Sequence, residues 1–470
     1  MNARFADALA AITGPRYVLT GDTADPWSRD WSGMARWTPR AVVRPASAEE
    51  VSEVLKLANA QGVPVVPVSG NTGLTKGSHA EGAVMLSLDR MSAIREVNPH
   101  ARTAVVEAGV ILSALHDAAE ARDMIFPLSF GARGSAMIGG CLSTNAGGSN
   151  VVRYGNARQL CLGIEAVTAE GEIVNLMSAL HKDNSGYDLR DLMIGAEGTL
   201  GVITAAVVKL FPKPRAHATA MVAAPSVDRA LDLLHALQAE TGGAVEAFEY
   251  MPGSYMDAYL DRFPDARPPF ARRYEVNILV EVGALGRRDA EPEPDGTVPV
   301  AANLEGVLGQ LYETGAVLDA VVAKSDAERA EMWARREAAA EVSRLRAPLI
   351  DNDIAVPIDR MSALLDRTAA RARALDPGIR FMHVAHLGDG NLHFAAWPET
   401  DDPDIHRAIG EAVEEETIAL GGSFSAEHGI GLSKLSAMRR HKDGAALNMM
   451  RRIKRALDPN DIMNPGKVLP

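Results

Sequence analysis

The sequence predicts an α+β protein of two or three domains, on the strength of its length, an early strand-helix-strand pattern and a proline-marked change of pattern partway along. Its 470 residues amount to about three typical domains of ~150 residues. From Arg40, short apolar runs alternate with an amphipathic run. Beyond FPKPR, which ends at Arg215, strands mix with longer helical patterns.

The segment AVVRP, the helical run SAEEVSEVLKLANAQG and the apolar VPVVPV form a βαβ start. Ser47 with Glu50 three residues later is a capping box, and Gly62 closes that helix. Strands follow over AVMLSL, TAVVEAG, GIEAVTA, EIVNL and GVITAAVVKLF, divided by glycine-rich turns. The prolines of FPKPR interrupt regular structure and set a boundary near Arg215.

Residues 216–425 form an α+β second domain, with strands in AVEAFEY, VNILVEV and FMHVAHL and helical patterns such as SDAERAEMWARREAAAEVSRL. The polar, proline-rich GRRDAEPEPDGTVPV, residues 286–300, is expected to be an exposed loop. The tail, residues 426–470, contains a short helix around LNMMRRIKRAL and ends in DPNDIMNPGKVLP.

A hydrophobic fraction of 47% supports a large core, and a net charge of -13 argues against nucleic-acid binding, which needs clustered cations. The two cysteines, Cys141 and Cys161, suggest neither a disulfide framework nor a thiolate metal site, and a reducing cytoplasm fits. No stretch reaches the ~18 consecutive apolar residues that span a bilayer. A soluble cytoplasmic protein without a cleaved leader is expected, although Arg4 and the apolar run Phe5 to Ile12 have elements of a targeting signal.

Two glycine-rich stretches stand out. SGNTGLTKGSH, Ser69 to His79, directly follows an apolar strand, and FGARGSAMIGGCLSTNAGGSN spans Phe130 to Asn150. Glycines at Gly70 and Gly73 allow backbone amides to converge on an anion. Such clusters also mark ordinary turns. Neither fits GxGxxG or GxxxxGK[ST], so dinucleotide binding of the Rossmann kind and P-loop binding have no support. A diphosphate held by two separate backbone loops suits a non-Rossmann flavin site.

The segment FMHVAHLGDGNLHFAAW centres on Asp389-Gly390, read as a two-residue hairpin turn. Counting outward, His386 faces His393, with Cβ atoms about 4.5–5.5 Å apart, near enough for both imidazoles to bind one ion. Simple packing is the competing explanation for a histidine pair. SAEHGIG supplies a third ligand, Glu427, and an adjacent base, His428. Two histidines and a carboxylate leave a coordination position open for chemistry. His383 falls on the opposite strand face and is read as structural.

In these segments the chain resembles the FAD-linked D-2-hydroxy acid dehydrogenases, a family that includes D-lactate dehydrogenase and glycolate-oxidase-like flavoproteins, and within it the D-2-hydroxyglutarate dehydrogenase group. The likeness runs in order from Arg40 to Pro470 through SGNTGLTKGS, GARGSAMIGGCLSTNAGGSNVVRYG, KDNSGYDLRDLMIGAEGTLGVIT, HLGDGNLH, AEHGIG and LDPNDIMNPGKVLP. It implies the vanillyl-alcohol-oxidase and p-cresol-methylhydroxylase type of fold. The FAD-binding domain would comprise residues 1–215, the α+β substrate or cap domain 216–425, and 426–470 would return to the FAD domain.

By the same resemblance, FAD would be bound non-covalently by Gly70, Asn71, Thr72, Gly73, Ser135, Gly139, Gly140, Thr144, Asn145, Gly147, Gly148, Gly198, Ile203 and Asn464. His386, His393 and Glu427 would hold a divalent metal, zinc ahead of manganese, with His428 as the proton-abstracting base and Arg336 gripping a substrate carboxylate. Three departures bear on substrate: a family threonine becomes Ala340, a lysine becomes Asp351, and a polar residue becomes Ala395. An acid in place of that lysine would repel a second carboxylate, which argues against hydroxyglutarate.

The implied reaction oxidises a small D-2-hydroxy acid to the 2-oxo acid with hydride transfer to flavin N5. Electrons would leave to an electron-transfer flavoprotein, a quinone or a cytochrome, and a homodimer is compatible with the sequence. Two readings of other classes share parts of this pattern: a flavin-dependent transferase of the alkylglycerone-phosphate synthase type, and a non-catalytic flavoprotein partner in a larger oxidase.

Overall fold

A computed structural model describes residues 3–31, 33 and 35–470. The chain divides into two compact units: one contains Met1–Gly147, Gly155–Pro212 and Glu427–Pro470, the other Gly148–Tyr154 and Lys213–Ala426.

In the first unit, β1 (Val18–Leu19), β2 (Ala41–Val43), β3 (Val65–Val68) and β4 (Val84–Ser87) form a sheet of order β1-β2-β4-β3. β4 runs parallel to both β2 and β3, because the helix Ala48–Ala60 returns the chain from the end of β2 to the start of β3. Ser47 caps this helix, its Oγ accepting the Glu50 amide at 3.3 Å, but the expected reciprocal bond is displaced by one residue: Glu50 accepts the amide of Ala46 at 2.7 Å rather than that of Ser47. The tail reaches this sheet by a parallel bridge from Met463 to Val65, and Ile462 and Met463 are buried in its core. Phe5 and Leu9 pack into the same core from the helix Ala3–Thr13, so the apolar residues that raised a targeting signal have a packing role.

The second sheet of this unit contains β5 (Ile94–Asn98), β6 (Thr103–Glu107), β8 (Cys161–Val167), β9 (Ile173–Leu176) and β10 (Val202–Lys209), in the antiparallel order β5-β6-β10-β8-β9; the short β7 (Met124–Ile125) pairs with β11 (Phe211–Pro212).

The other unit is built on one antiparallel sheet of β12 (Ala216–Ala224), β13 (Val245–Pro252), β14 (Val276–Ala284), β15 (Asp319–Val322), β16 (Ile350–Ala355), β17 (Arg380–Phe381), β18 (Val384–His386) and β19 (Asn391–Trp397). Their order is β15-β12-β14-β13-β18-β19-β16, with β17 also pairing β19. Strand alternation sends Phe248, Tyr250, Ile278 and Phe394 into a core shared with the helices Val227–Glu240, Pro299–Glu313, Met361–Leu375 and Pro403–Ala419. Met251, Leu279, Val384 and Ala395 face the other way, towards the helices Gly253–Arg262 and Asp326–Glu337. Residues 286–300 are only partly a loop, since Arg287–Ala290 is helical and a long helix opens at Pro299. Proline fits there because the first helical turn has no use for its missing N–H.

Candidate functional site: two glycine-rich loops and a histidine hairpin

The backbones of the two glycine-rich loops touch. A Cβ on Gly70 would collide with the Ser135 carbonyl oxygen, and one on Gly139 would lie 2.7 Å from the Ala108 Cβ and 3.1 Å from Ser69 Oγ. Asn71 adopts a left-handed φ of 52°, held by its side chain, which donates to the Arg29 carbonyl at 2.8 Å and accepts from Ser78 Oγ at 2.7 Å. Asn145 has the same φ of 52° and accepts the Arg158 amide at 3.0 Å, while Thr144 Oγ1 donates to the Gly140 carbonyl at 3.0 Å. Thr72 and Gly73 lie in the first loop, and a Cβ on Gly140 would lie 3.4 Å from Ser69 Cβ. Gly147 closes a segment of the first unit, and Gly148 opens the short segment grouped with the other.

A third loop completes the cradle. Gly198 has a φ of 73°, and a Cβ there would lie 3.1 Å from Pro67 Cγ; Ile203 is buried on β10. Asn464, also left-handed at φ 41°, donates from Nδ2 to the carbonyls of Gly77 at 3.1 Å and Glu197 at 2.8 Å. Its Oδ1 is buried without a hydrogen-bond partner. An unmatched buried acceptor beside left-handed loop residues is what a polar, planar ligand ring with an N–H donor would satisfy, so these residues fit a flavin nucleotide.

Glu427 and His428 follow in the tail, with Glu427 Oε1 and His428 Nε2 3.8 Å apart. The glycines after them are pinned from below. Glu197 accepts the amides of Ile430 at 2.7 Å and Gly431 at 2.8 Å, and Thr75 Oγ1 donates to the His428 carbonyl at 3.2 Å. Gly431 needs to be glycine, because its φ is 50° and a Cβ would strike the Thr75 carbonyl. Burial pushes the Glu197 carboxyl upward despite the opposing pull of the two amides and Lys434.

The hairpin carrying the other expected ligands differs from expectation in register. His386 pairs with Asn391 and Val384 with His393, so residues 387–390 form the turn rather than Asp389-Gly390 alone. The displacement from the expected His386–His393 pairing is by two residues, which preserves the face. The two imidazoles therefore stay neighbours, diagonal rather than opposed, with ring centroids 5.1 Å apart. Asp353, on β16, pairs with His393 and brings its carboxylate to 3.7 Å from His393 Nδ1. Ligand atoms of Asp353 and His393 lie within 4.8 Å of each other, as do those of Glu427 and His428 in the other unit. His383 packs its ring among Tyr250, Phe381 and Phe394, on the far side of the sheet, and its pKa is lowered by burial to about 4.

Arg336 is buried at the end of the helix Asp326–Glu337, whose start is capped by Ser325 accepting the Glu328 amide at 3.2 Å. Its Nε donates to Glu249 at 2.6 Å, and Nη2 lies 3.3 Å from His386 Nε2 and 3.4 Å from Nδ1. A grip on substrate through Nε and Nη2 together is thus not available. Glu249 is the residue that sequence reasoning missed. It is 0% exposed in mid-β13, and its other oxygen is 2.8 Å from His386 Nδ1. Burial works against its charge, but His386 and Arg336 outweigh that effect and hold the carboxyl below the usual range. The signal was an acid, one of two with Glu246, inside a strand whose other residues are mostly apolar, which is costly unless paired.

Two of the three substrate-related departures are direct neighbours. Asp351 pairs with Ala395 across β16 and β19, one step along the same face from Asp353 and His393. Ala340 lies on the helix Ala339–Ser343, whose Val342 packs in the core that holds Ala395.

A second acid and histidine cluster, His217, Glu246 and Glu281, lies elsewhere in the same unit. It is neutralised by arginines: Arg153 is 2.9 Å from Glu246 and Arg329 is 2.6 Å from Glu281. A dication there would meet two guanidinium groups, so this cluster is read as a buried charge network.

Comparison with known proteins agrees with this geometry. The family model for the C-terminal domain of FAD linked oxidases matches residues 213–468, and a model for an FAD binding domain matches residues 39–177. The D-2-hydroxyglutarate dehydrogenase of Xanthomonas citri pv. viticola is 38% identical over 464 residues, covering 97% of this chain and 94% of the relative. Among solved structures, p-cresol methylhydroxylase with substrate bound superposes with a TM-score of 0.73 at 16% identity, covering 99% of this chain and 96% of that one. An alkyldihydroxyacetonephosphate synthase gives 0.74 at 18% identity, covering 100% and 86%. At such identities the structural likeness establishes the fold, of the p-cresol-methylhydroxylase type. Among the described residues, no helix is long and apolar enough to cross a membrane.

Proposed function

The chain belongs to the FAD-linked oxidase family and is an FAD-dependent D-2-hydroxy acid dehydrogenase, and from that premise we propose that its substrate binds beside a divalent metal held by His386, His393 and Glu427. The supporting observation is the placement of His386 and His393 on one sheet face, ring centroids 5.1 Å apart, with Arg336 Nη2 3.3 Å from His386. Glu427 is covalently next to Ala426, whose amide donates to the Asp353 carbonyl at 3.3 Å. Two imidazoles and a carboxylate suit zinc or manganese.

When bound, FAD accepts the α-hydride and the metal polarises the substrate hydroxyl. His428 takes the hydroxyl proton on its imidazole, which would let the C=O bond form as the α-hydride is given up. Arg336 meets the substrate carboxylate through Nη1, because Nε is committed to Glu249. The first-unit loops hold FAD without a covalent link. The cycle would be completed by an external electron acceptor, an electron-transfer flavoprotein, a quinone or a cytochrome.

The name of the Xanthomonas relative specifies hydroxyglutarate. Here Asp351 and Ala395 stand opposite one another on the proposed substrate face. A fixed carboxylate there disfavours a second substrate carboxylate, so we assign a D-2-hydroxy acid with a neutral side chain. The test is anaerobic addition of D-2-hydroxy acids of varied side chain to purified protein, with metal content measured on the same sample. Flavin bleaching with stoichiometric metal is expected; retention of full activity in metal-free protein would overturn the metal assignment.

A further inference from the structure

Glu249 has no part in the mechanism above, yet its side chain contacts two residues that do. β13 and β18 pair Glu249 directly with His386, so the two side chains leave the sheet on one face with Cβ atoms about 4.5–5.5 Å apart. One carboxylate then serves both partners, Arg336 Nε at 2.6 Å and His386 Nδ1 at 2.8 Å. All three side chains are buried, at 0% exposure for Glu249, 7% for His386 and 8% for Arg336.

We propose that Glu249 is a positioning residue that fixes His386 as the tautomer with its proton on Nδ1 and its lone pair on Nε2, and that the same carboxylate sets the pose of Arg336. The role of His386 as a metal ligand rests on the proposed function; the tautomer does not. An ionised carboxylate has acceptors only, so the imidazole nitrogen facing it must donate. Arginine is always protonated, and its ion pair keeps Glu249 ionised. Arg336 Nη2 is almost equidistant from the two ring nitrogens, at 3.3 and 3.4 Å, and does not select between them. Glu249 does. A histidine so oriented presents Nε2 to a metal, and a carboxylate behind a ligating imidazole also raises its basicity.

Mere structural ion pairing between Glu249 and Arg336 is the competing account, and two measurements separate them. In metal-stripped flavoprotein labelled with 15N-histidine, the His386 signal, assigned by its loss in His386→Asn, should show the proton on Nδ1. In Glu249→Gln that preference should weaken, because the amide can turn its NH2 towards the ring. Zinc titrated into the stripped protein against a competing chelator should bind about 10- to 100-fold more weakly in the variant, with flavin content and melting temperature followed in parallel. An unchanged tautomer together with unchanged zinc affinity would overturn the proposal. If wild type itself binds no zinc, the metal assignment fails while the nitrogen shifts still decide the role of Glu249. Should Glu249→Gln not fold, Glu249→Asp keeps the charge but shortens the reach; loss of the Nδ1 preference supports the proposal and its retention at wild-type zinc affinity overturns it.

Discussion

The Gly431 amide donates to the buried carboxylate of Glu197 at 2.8 Å, and the neighbouring Ile430 amide donates to its other oxygen at 2.7 Å. Glu197, next to Gly198 in sequence, thus holds the backbone that directly follows Glu427 and His428. Replacing Glu197 by Gln turns one acceptor into a donor facing an amide, at an expected cost of about 1–3 kcal/mol in denaturant unfolding. The anaerobic reduction rate should fall as well. Because the folded-state pKa of Glu197 is raised, its contribution to stability is present at acid pH and lost as pH rises through that pKa. The variant should lack this decline.

Gly70→Ala should fold but hold less flavin. Its methyl collides with the Ser135 carbonyl, which forces the two loops apart at a cost of about 1–3 kcal/mol. Flavin absorbance per protein chain is the measurement, and wild-type occupancy would show that the loop contact is not needed.

Asp351→Lys tests the substrate assignment. The pairing of Asp351 with Ala395 puts the new ammonium on the face that carries His393. KM for D-2-hydroxyglutarate should drop by about tenfold, worth ~1.4 kcal/mol, while KM for a monocarboxylic D-2-hydroxy acid changes little. Efficient oxidation of hydroxyglutarate by wild type, equal to that of monoacids, would refute the reading of Asp351.

His383 makes acid stability predictable. Burial alone lowers its pKa from 6.5 to about 4, so the unfolded state takes up a proton that the folded state refuses across that interval. The associated stability is present above pH 6.5 and is lost as pH falls towards 4, on the order of 3 kcal/mol in total. In His383→Phe, which keeps an aromatic ring among Tyr250, Phe381 and Phe394, urea unfolding followed against pH should lose that slope.

Much of the fold could be read from local chemistry. Ser47 and Glu50 announce the helix Ala48–Ala60 because an N-cap is made within a few residues, Ser47 taking the Glu50 amide and Glu50 reaching back to the Ala46 amide. Strand alternation likewise placed His386 and His393 on one face and His383 on the other. The turn between them was misjudged because tertiary contacts shape it. Gly388 donates to the Phe248 carbonyl at 3.2 Å, a Cβ there would lie 2.8 Å from Val152 Cγ2, and a Cβ on Gly390 would meet the Val356 carbonyl. Those neighbours are far away in sequence. Glu249 was hidden for a related reason: it is one of two acids in a buried strand, and only sheet order shows that β18 lies beside β13.

The pleat of the sheet makes the hairpin tolerant of some length changes and intolerant of others. A deletion or insertion of two residues between His386 and His393 moves the imidazoles along the strands but leaves them on a common side. Changing the length by one sends His393 towards Phe394's present surroundings in the helix-covered core. Length variants of this turn should therefore retain function by parity, with even changes surviving where odd ones do not.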